Sequence, residues 1–170
     1  MTVSFQERFV ELFDARFHRL YRYLNRLSGE PELAADLSQE AFVRLYERGS
    51  LPDRPDAWLV TVAMNLFRNA RTKRARRLEL LTTSRAEAVL SDPPPSPGEG
   101  TIDQDERRRV RAALDRLPER ERRMLLLRAE GCRYRDIAAA LEMNEASVGT
   151  LLARAKRAFR EAYEVPCDAS

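Results

Sequence analysis

Apolar residues recur at helical spacing along almost the whole chain, and no stretch combines sustained alternation with the turn signals of a hairpin. This pattern predicts an all-α protein. Ser4 and Glu7 carry the signature of a capping box, and Gly29 is suited to end the helix that follows. The first helix is therefore predicted over residues 5–28, and its apolar stripe comprises Phe5, Phe9, Leu12, Phe13, Phe17, Leu20, Leu24 and Leu27.

Prolines and glycines delimit the next two helices. Pro31 is suited to the first turn of a second helix, which is predicted to run to Arg48 and to end at Gly49. A third helix is predicted to begin at Pro55. Its residues 57–64 are apolar nearly all round, which indicates a position at the centre of the first lobe. Residues 68–77 then contain six cations and no acid.

A break in composition separates this lobe from the rest of the chain. Residues 91–101 contain four prolines and two glycines, so they are predicted to form a linker rather than a helix or a central strand. Four more helices are predicted beyond it: one near 102–116, one opened by Leu117-Pro118 and stopped at Gly131, one over 134–141, and one capped by Asn144 that runs to about Tyr163. The short turn between the last two is typical of a helix-turn-helix.

The predicted architecture is thus two small helical domains joined by a Pro/Gly-rich linker. We place the domains at residues 1–88 and 105–165, the linker at 89–104 and a tail at 166–170. The net charge follows the same division, because it is +3 over 1–88, −3 over 89–104 and +3 over 105–170. Each lobe is therefore mildly basic, and 28 of the 30 cations are arginines, whose planar fork of donors suits phosphates and carboxylates.

The composition argues against several functional classes. No window approaches 18 uncharged apolar residues, so we expect no membrane insertion and a cytoplasmic protein. With one histidine, no Gly-rich phosphate loop and no ordered set of nucleophile and base, an enzyme is not expected. Cys132 and Cys167 are separated by 34 residues without a Cys-x-x-Cys pair, so we expect reduced thiols, no metal site and no cofactor.

Nucleic-acid binding has support at two places in the sequence. The second helix of the helix-turn-helix would present Glu145, Ser147 and Thr150 to base edges in the major groove. Arg154, Lys156 and Arg157 would contact phosphates further along the same helix. The alternative interpretation is a helical hairpin with a solvated charged face.

The second place is the basic run of the third helix. Trp58, Asn65, Arg68 and Asn69 lie near one face, and Arg71, Lys73 and Arg74 follow them. Unstacked bases need flat surfaces and hydrogen-bond donors beside a charged track, which this set of side chains could provide. Here too the alternative is a solvated charged face.

A third constellation lies on the second helix. Asp36, Gln39 and Glu40 share a polar face opposite Leu37 and Ala41. Such a face is either ordinary helix surface or a docking patch whose carboxylates and amide meet arginines of a partner helix.

These motifs occur in an order that resembles one family. The order is Asp36-Leu-Ser-Gln39-Glu40-Ala-Phe42, then Ala57-Trp58-Leu59 with Asn65-Leu66 and a basic tail, then the linker, then Leu114-Asp-Arg-Leu117-Pro118-Glu-Arg-Glu-Arg, and finally Arg135-Asp136-Ile137-Ala138 before the helix-turn-helix. It resembles the extracytoplasmic-function (ECF) sigma factors of bacterial RNA polymerase, in the sigma-70 superfamily. The resemblance covers nearly the whole chain.

The resemblance implies a transcription initiation factor with a sigma-2-like and a sigma-4-like domain. It implies that Asp36, Gln39, Glu40 and Phe42 dock on the clamp helices of core RNA polymerase. It also implies that the third helix and the loop before it, with Trp58, Asn65, Arg68, Asn69, Arg71, Lys73 and Arg74, open and read the minus-ten element of promoter DNA. The helix-turn-helix would read the minus-thirty-five element.

Two further points follow from the resemblance. Family members are often held inactive by an anti-sigma factor that occupies the same faces, so such a protein is a candidate partner. The chain departs from the family at Gly149 and Leu151, where cations are common, and at Glu142, which replaces a frequent glycine. The alternative function is a stand-alone helix-turn-helix regulator that binds an operator as a dimer.

Overall fold

A computed structural model of the chain describes residues 3–82 and 104–165. Within these ranges all regular structure is helical, which confirms the predicted all-α class. The seven helices are α1 (Phe5–Ser28), α2 (Pro31–Arg48), α3 (Pro55–Thr82), α4 (Gln104–Asp115), α5 (Glu119–Ala129), α6 (Tyr134–Ala140) and α7 (Glu145–Glu164).

Local capping signals explain where the first helices begin and end. The hydroxyl of Ser4 accepts a hydrogen bond from the Glu7 amide at 3.2 Å, and the Glu7 carboxylate accepts one from the Ser4 amide at 2.8 Å. Gly29 and Gly49 end α1 and α2 with φ of 72° and 71°, in the left-handed region that favours glycine. The predicted limits of both helices are confirmed.

The chain divides into two compact units, Met1–Pro95 and Ser96–Ser170. Helices α1–α3 belong to the first unit and α4–α7 to the second. The predicted linker lies outside the described residues, except that Gln104, which we assigned to it, is the first residue of α4. The predicted tail and Cys167 also lie outside them, so the domain limits remain a prediction.

The core of the first unit lies where α1, α2 and α3 meet. Tyr23 and Met64 link α1 to α3, since the phenol donates to the methionine sulfur at 3.3 Å. Over residues 57–64 no side chain of α3 is exposed, as predicted. Within the predicted α1 stripe, Leu20, Leu24 and Leu27 are buried, whereas Phe13 is 37% exposed. In the first three turns of α1, the rings of Phe5, Phe9 and Phe13 lie against Phe42 or Tyr46 of α2.

The core of the second unit is arranged around α7, which packs against α4, α5 and α6. Val148, Leu152 and Ala155 form the buried stripe of α7. At the far end of the helix, the Tyr163 hydroxyl donates to a Glu106 carboxylate oxygen at 2.6 Å, and this hydrogen bond raises the pKa of Tyr163. Across the described ranges, no helix has the length and apolar character that crossing a membrane requires.

Candidate functional site

The outer face of α2 is the first candidate surface. Asp36, Gln39 and Glu40 are all exposed, while Leu37 and Ala41 on the opposite face are buried. The Glu40 carboxylate accepts a hydrogen bond from Arg44 Nε at 2.9 Å, within the same helix. We call Asp36, Gln39 and Glu40 the α2 face; it presents two carboxylates and an amide to solvent.

Phe42 does not belong to this face, although we predicted that it contacts a partner. Its side chain is 2% exposed. The ring packs edge-on against Phe13, with centroids 5.0 Å apart, and also lies against Phe9 and Phe17. Phe42 is therefore packed against α1 beneath the α2 face, and its contact with a partner stays a prediction.

Two apolar residues that the sequence analysis missed extend the α2 face. Val43 is 49% exposed and lies four residues after Gln39, so both side chains share one side of the helix. Tyr46 is 52% exposed, and its ring lies 5.3 Å from that of Phe9. The four-residue spacing from Gln39 was the signal that could have identified Val43.

The first half of α3 brings together three of the side chains predicted to bind DNA bases. Trp58, Asn65 and Asn69 follow one another at intervals of seven and four residues, which places them on one side of an α-helix. Trp58 is half-buried and the two asparagines are exposed. Arg68 is also exposed but lies about a quarter of a turn away from this row.

The second half of α3 is exposed over its whole circumference from Arg71 to Thr82. Its cations do not all share the side of Asn65. The Arg71 guanidinium lies 5.7 Å from the centre of the Phe67 ring, which faces the core. Arg74 Nη1 contacts a Glu30 carboxylate oxygen at 2.6 Å, at the start of α2. Among Arg71, Lys73 and Arg74, Lys73 lies closest to the side of the helix that carries Asn65 and Asn69.

The helix-turn-helix is formed by α6, residues 141–144 and α7. The Asn144 side chain accepts a hydrogen bond from the Ala146 amide at 3.0 Å, which confirms the predicted cap. Glu142 has a φ of 53°, in the left-handed region where a residue with a Cβ is strained. This strain explains why a glycine suits that position of the turn.

The exposed side of α7 carries most of the residues predicted to read duplex DNA. Thr150 and Arg157 lie opposite the buried stripe, and Glu145, Ser147 and Lys156 lie on its flanks; all five are exposed. Arg154 is 73% exposed, and its Nε lies 3.6 Å from a Glu121 carboxylate oxygen of α5. The α7 face, as we call Ser147, Thr150, Arg154 and Arg157, is thus a polar and basic strip on a packed helix.

The uncharged positions of α7 have distinct surroundings. Gly149 and Leu151 are both half-buried. A Cβ atom at Gly149 would meet Cε2 of Tyr134 at 3.5 Å, an ordinary van der Waals contact. Tyr134 is 42% exposed at the start of α6.

Among the residues that the structure describes, no three His, Cys, Asp or Glu side chains lie close enough to hold a metal ion.

Comparisons with known proteins agree with the division of the chain into two units. Residues 12–77 match the model of sigma-70 region 2, and residues 107–159 match that of sigma-70 region 4. The chain is 38% identical over 140 residues to the ECF RNA polymerase sigma factor EcfG of Rhodopseudomonas palustris, a match that covers 78% of this chain and 70% of that protein. It is 32% identical over 157 residues to the ECF RNA polymerase sigma factor SigE of Mycolicibacterium smegmatis, with 89% and 60% covered.

Two other similarities complete the comparison. A probable RNA polymerase sigma factor, RfaY of Xanthomonas campestris, is 34% identical over 130 residues, and the chain spans only 32% of its length. The fold is similar to that of the sigma factor RpoE, solved in complex with the anti-sigma factor NepR from Bartonella quintana. That match has a TM-score of 0.68 at 23% identity and covers 94% of this chain and 98% of the other.

Proposed function

The chain belongs to the ECF sigma factors of the sigma-70 family, and we propose that it directs core RNA polymerase to specific promoters and helps to open the DNA there. Sigma factors are transcription initiation factors rather than enzymes. One observation carries the proposal. The first unit exposes both a carboxylate and amide face on α2 and a cationic half of α3. A dimeric DNA-binding regulator would use the cations but would have no use for the α2 face.

We assign the α2 face to polymerase docking. Support comes from the exposure of Asp36, Gln39 and Glu40, since carboxylates form strong paired hydrogen bonds with arginines of a partner helix. Val43 and Tyr46 add exposed apolar area beside them. Interfaces commonly combine such an apolar centre with a polar rim, so we include both residues in the proposed docking surface.

We assign α3 to the minus-ten element. Capture of a base that has left the duplex costs a few kcal/mol of unstacking, which contacts to the base must offset. Trp58 offers a ring for stacking, and Asn65 and Asn69 offer amide donors and acceptors in the same row. Arg68, Arg71, Lys73 and Arg74 would attract the phosphates of the separated strand.

We assign the α7 face to the minus-thirty-five element. Ser147 and Thr150 lie near the N-terminal end of the second helix of the helix-turn-helix, the end that contacts base edges in this motif. Glu145 precedes them, and Arg154, Lys156 and Arg157 follow at positions suited to phosphates.

Partners and location follow from the same assignment. The protein would act in the cytoplasm with core RNA polymerase and promoter DNA. The similarly folded RpoE was solved with an anti-sigma factor, and we propose a regulator of that kind as a third partner of this chain. Such a regulator would compete for the α2 face or the DNA-binding helices.

Run-off transcription with purified core polymerase tests the proposal. We expect the full chain to bind core polymerase and to support initiation at discrete start sites. The variant Asp36→Arg/Glu40→Arg is expected to lose at least about tenfold in polymerase association without unfolding, because like charges would then face the arginines of the partner.

The matched control is Glu11→Arg/Asp14→Arg, which makes the same change of charge at two exposed carboxylates of α1. It should retain polymerase association. Equal association of the two variants would contradict the docking assignment. Tight binding of duplex DNA by the protein alone, with no association with polymerase, would favour the stand-alone regulator instead.

A further inference from the structure

The start of α3 is joined to α1 by an ion pair whose two residues belong to none of the proposed polymerase or DNA contacts. Arg16 Nε of α1 lies 2.7 Å from a carboxylate oxygen of Asp56, in the first turn of α3. The two side chains are 37% and 26% exposed, and Arg16 Nε itself is buried. That nitrogen makes no hydrogen bond within the described residues, so the contact is an ion pair. Salt screens a pair in this position less than a fully exposed one.

The first turn of α3 buries little apolar surface. Of residues 55–58 only Ala57 is buried, and its methyl group offers a small contact area. The large buried side chains of the helix begin with Leu59. About two turns further along, the hydrogen bond from Tyr23 to the sulfur of Met64 links the same two helices. The ion pair therefore holds α3 to α1 at the level of the first turn, where apolar packing contributes least.

Trp58 lies in the turn that this ion pair holds. Its amide donates a hydrogen bond to the Arg54 carbonyl at 3.0 Å, which closes the turn. Because Trp58 comes two residues after Asp56, the two side chains are about 200° apart around the helix axis. The carboxylate faces α1, and the indole lies on the other side of the helix, in the row with Asn65 and Asn69. A tilt of the first turn would move the ring relative to Asn65, whose own turn is fixed by buried side chains.

We propose that the Arg16–Asp56 ion pair positions Trp58 for the capture of a base at the minus-ten element. Both members act through the backbone of α3 and not on the DNA, so they are positioning residues. Stacking requires the ring to stand at a defined place beside the amide donors, and in enzymes a misplacement of about 1 Å can cost about a hundredfold in rate. This inference rests on the proposed assignment of α3 to the minus-ten element.

Trp58 is the only tryptophan in the chain, so its fluorescence reports on its position without any assay of activity. We expect Asp56→Asn and Arg16→Gln to shift the emission of the full chain to longer wavelength and to raise quenching by acrylamide, because the ring loses its fixed surroundings. Asp14→Asn and Arg8→Gln make the same changes of charge at exposed positions of α1 and should alter neither quantity. Circular dichroism should show the same helix content in all four variants, since such an ion pair contributes little to global stability.

Promoter opening with core polymerase is the functional measurement. Asp56→Asn and Arg16→Gln should each lower permanganate reactivity at the minus-ten element by about tenfold, while binding of the duplex promoter stays within about twofold. The double variant should lose no more than either single variant, because either change alone already breaks the pair. Arg16→Lys and Asp56→Glu each keep the pair of opposite charges and should retain most of the opening.

Asn65→Ala separates this inference from the proposed function. If Asn65→Ala lowers opening while Asp56→Asn and Arg16→Gln open the promoter like the wild-type chain, the positioning role is refuted and the α3 assignment stands. A loss of opening with unchanged Trp58 fluorescence, an additive loss in the double variant, or an equal loss of duplex binding also refutes the positioning role. If both Asn65→Ala and Trp58→Ala open the promoter normally, the α3 assignment fails, and the positioning role fails with it.

Discussion

Helices α3 and α7 are both assigned to DNA, yet they divide their buried and exposed residues in different ways. In α3 the division runs along the length, because residues up to Phe67 contribute to the core and the helix is exposed all round from Arg71 onward. In α7 the division runs around the circumference, with Val148 and Leu152 buried on one side and Thr150 exposed on the other.

The difference indicates two sources of helix stability. Packing of an amphipathic face holds α7, which therefore tolerates a glycine in its interior. In the part of the chain that the structure describes, residues 71–82 are exposed throughout; they are mainly Arg and Leu, which favour helix, and Arg74 forms an ion pair with Glu30. An exposed ion pair contributes only about 0–1 kcal/mol, so local helix propensity matters more for this segment than for α7.

The difference also fits the two proposed tasks. Duplex DNA offers a groove of constant shape, and a helix fixed on three others presents its side chains to that groove in a constant orientation. A separated strand has no constant shape, and a projecting cationic helix can follow its backbone. The row of Trp58, Asn65 and Asn69 lies on the packed half of α3, where a base would need a defined pocket.

The largest expected effect is the difference in stability between truncating a buried leucine of α7 and truncating an exposed leucine of α3. Leu152→Ala should lower the free energy of unfolding of the second unit by about 2–5 kcal/mol, because the residue is 2% exposed and its loss leaves a cavity. Leu81→Ala, at 57% exposure on the projecting half of α3, should change stability by less than about 0.5 kcal/mol. Denaturant unfolding followed by circular dichroism measures both, and equal losses would refute the division.

An effect of intermediate size should distinguish α3 from α7, because the two helices are assigned to different steps of initiation. Asn65→Ala is expected to lower promoter opening, measured by permanganate reactivity, by about tenfold while duplex binding stays within about twofold. Thr150→Ala should weaken duplex binding and opening together, since its proposed contact forms before the strands separate. Both side chains are exposed, so neither change should alter folding. An equal loss of binding and opening in Asn65→Ala would argue against base capture.

The smallest expected effect concerns the helix propensity of glycine and alanine at single positions. Gly149→Ala should stabilise the second unit by about 0.5–1 kcal/mol, because an alanine Cβ fits against Tyr134 without strain. Ala75→Gly should instead open the second half of α3 locally, with faster amide exchange beyond residue 75 and little change in the unfolding midpoint. A fall in the midpoint as large as that of Leu152→Ala would mean that residues 71–82 pack against something.

Much of the fold could be predicted because its signals are local. Capping by Ser4 and Asn144, proline at the start of α2 and glycine at its end depend on residues a few positions apart, and all four are observed. The exposure of Asp36, Gln39 and Glu40 followed from helical spacing alone. The burial of Phe42, by contrast, depended on which helix lies across which face of α2.

The sequence by itself therefore determined the helices, their limits and the family, since periodicity, caps and ordered motifs are properties of neighbouring positions. Only the tertiary structure decided which side chains are available for contact. It turned Phe42 inward against the rings of α1, and it left Val43 and Tyr46 outside. It also brought Tyr134 of α6 beside Arg128 of α5 and Gly149 of α7, because contacts between distant positions form only when the helices pack in one particular arrangement.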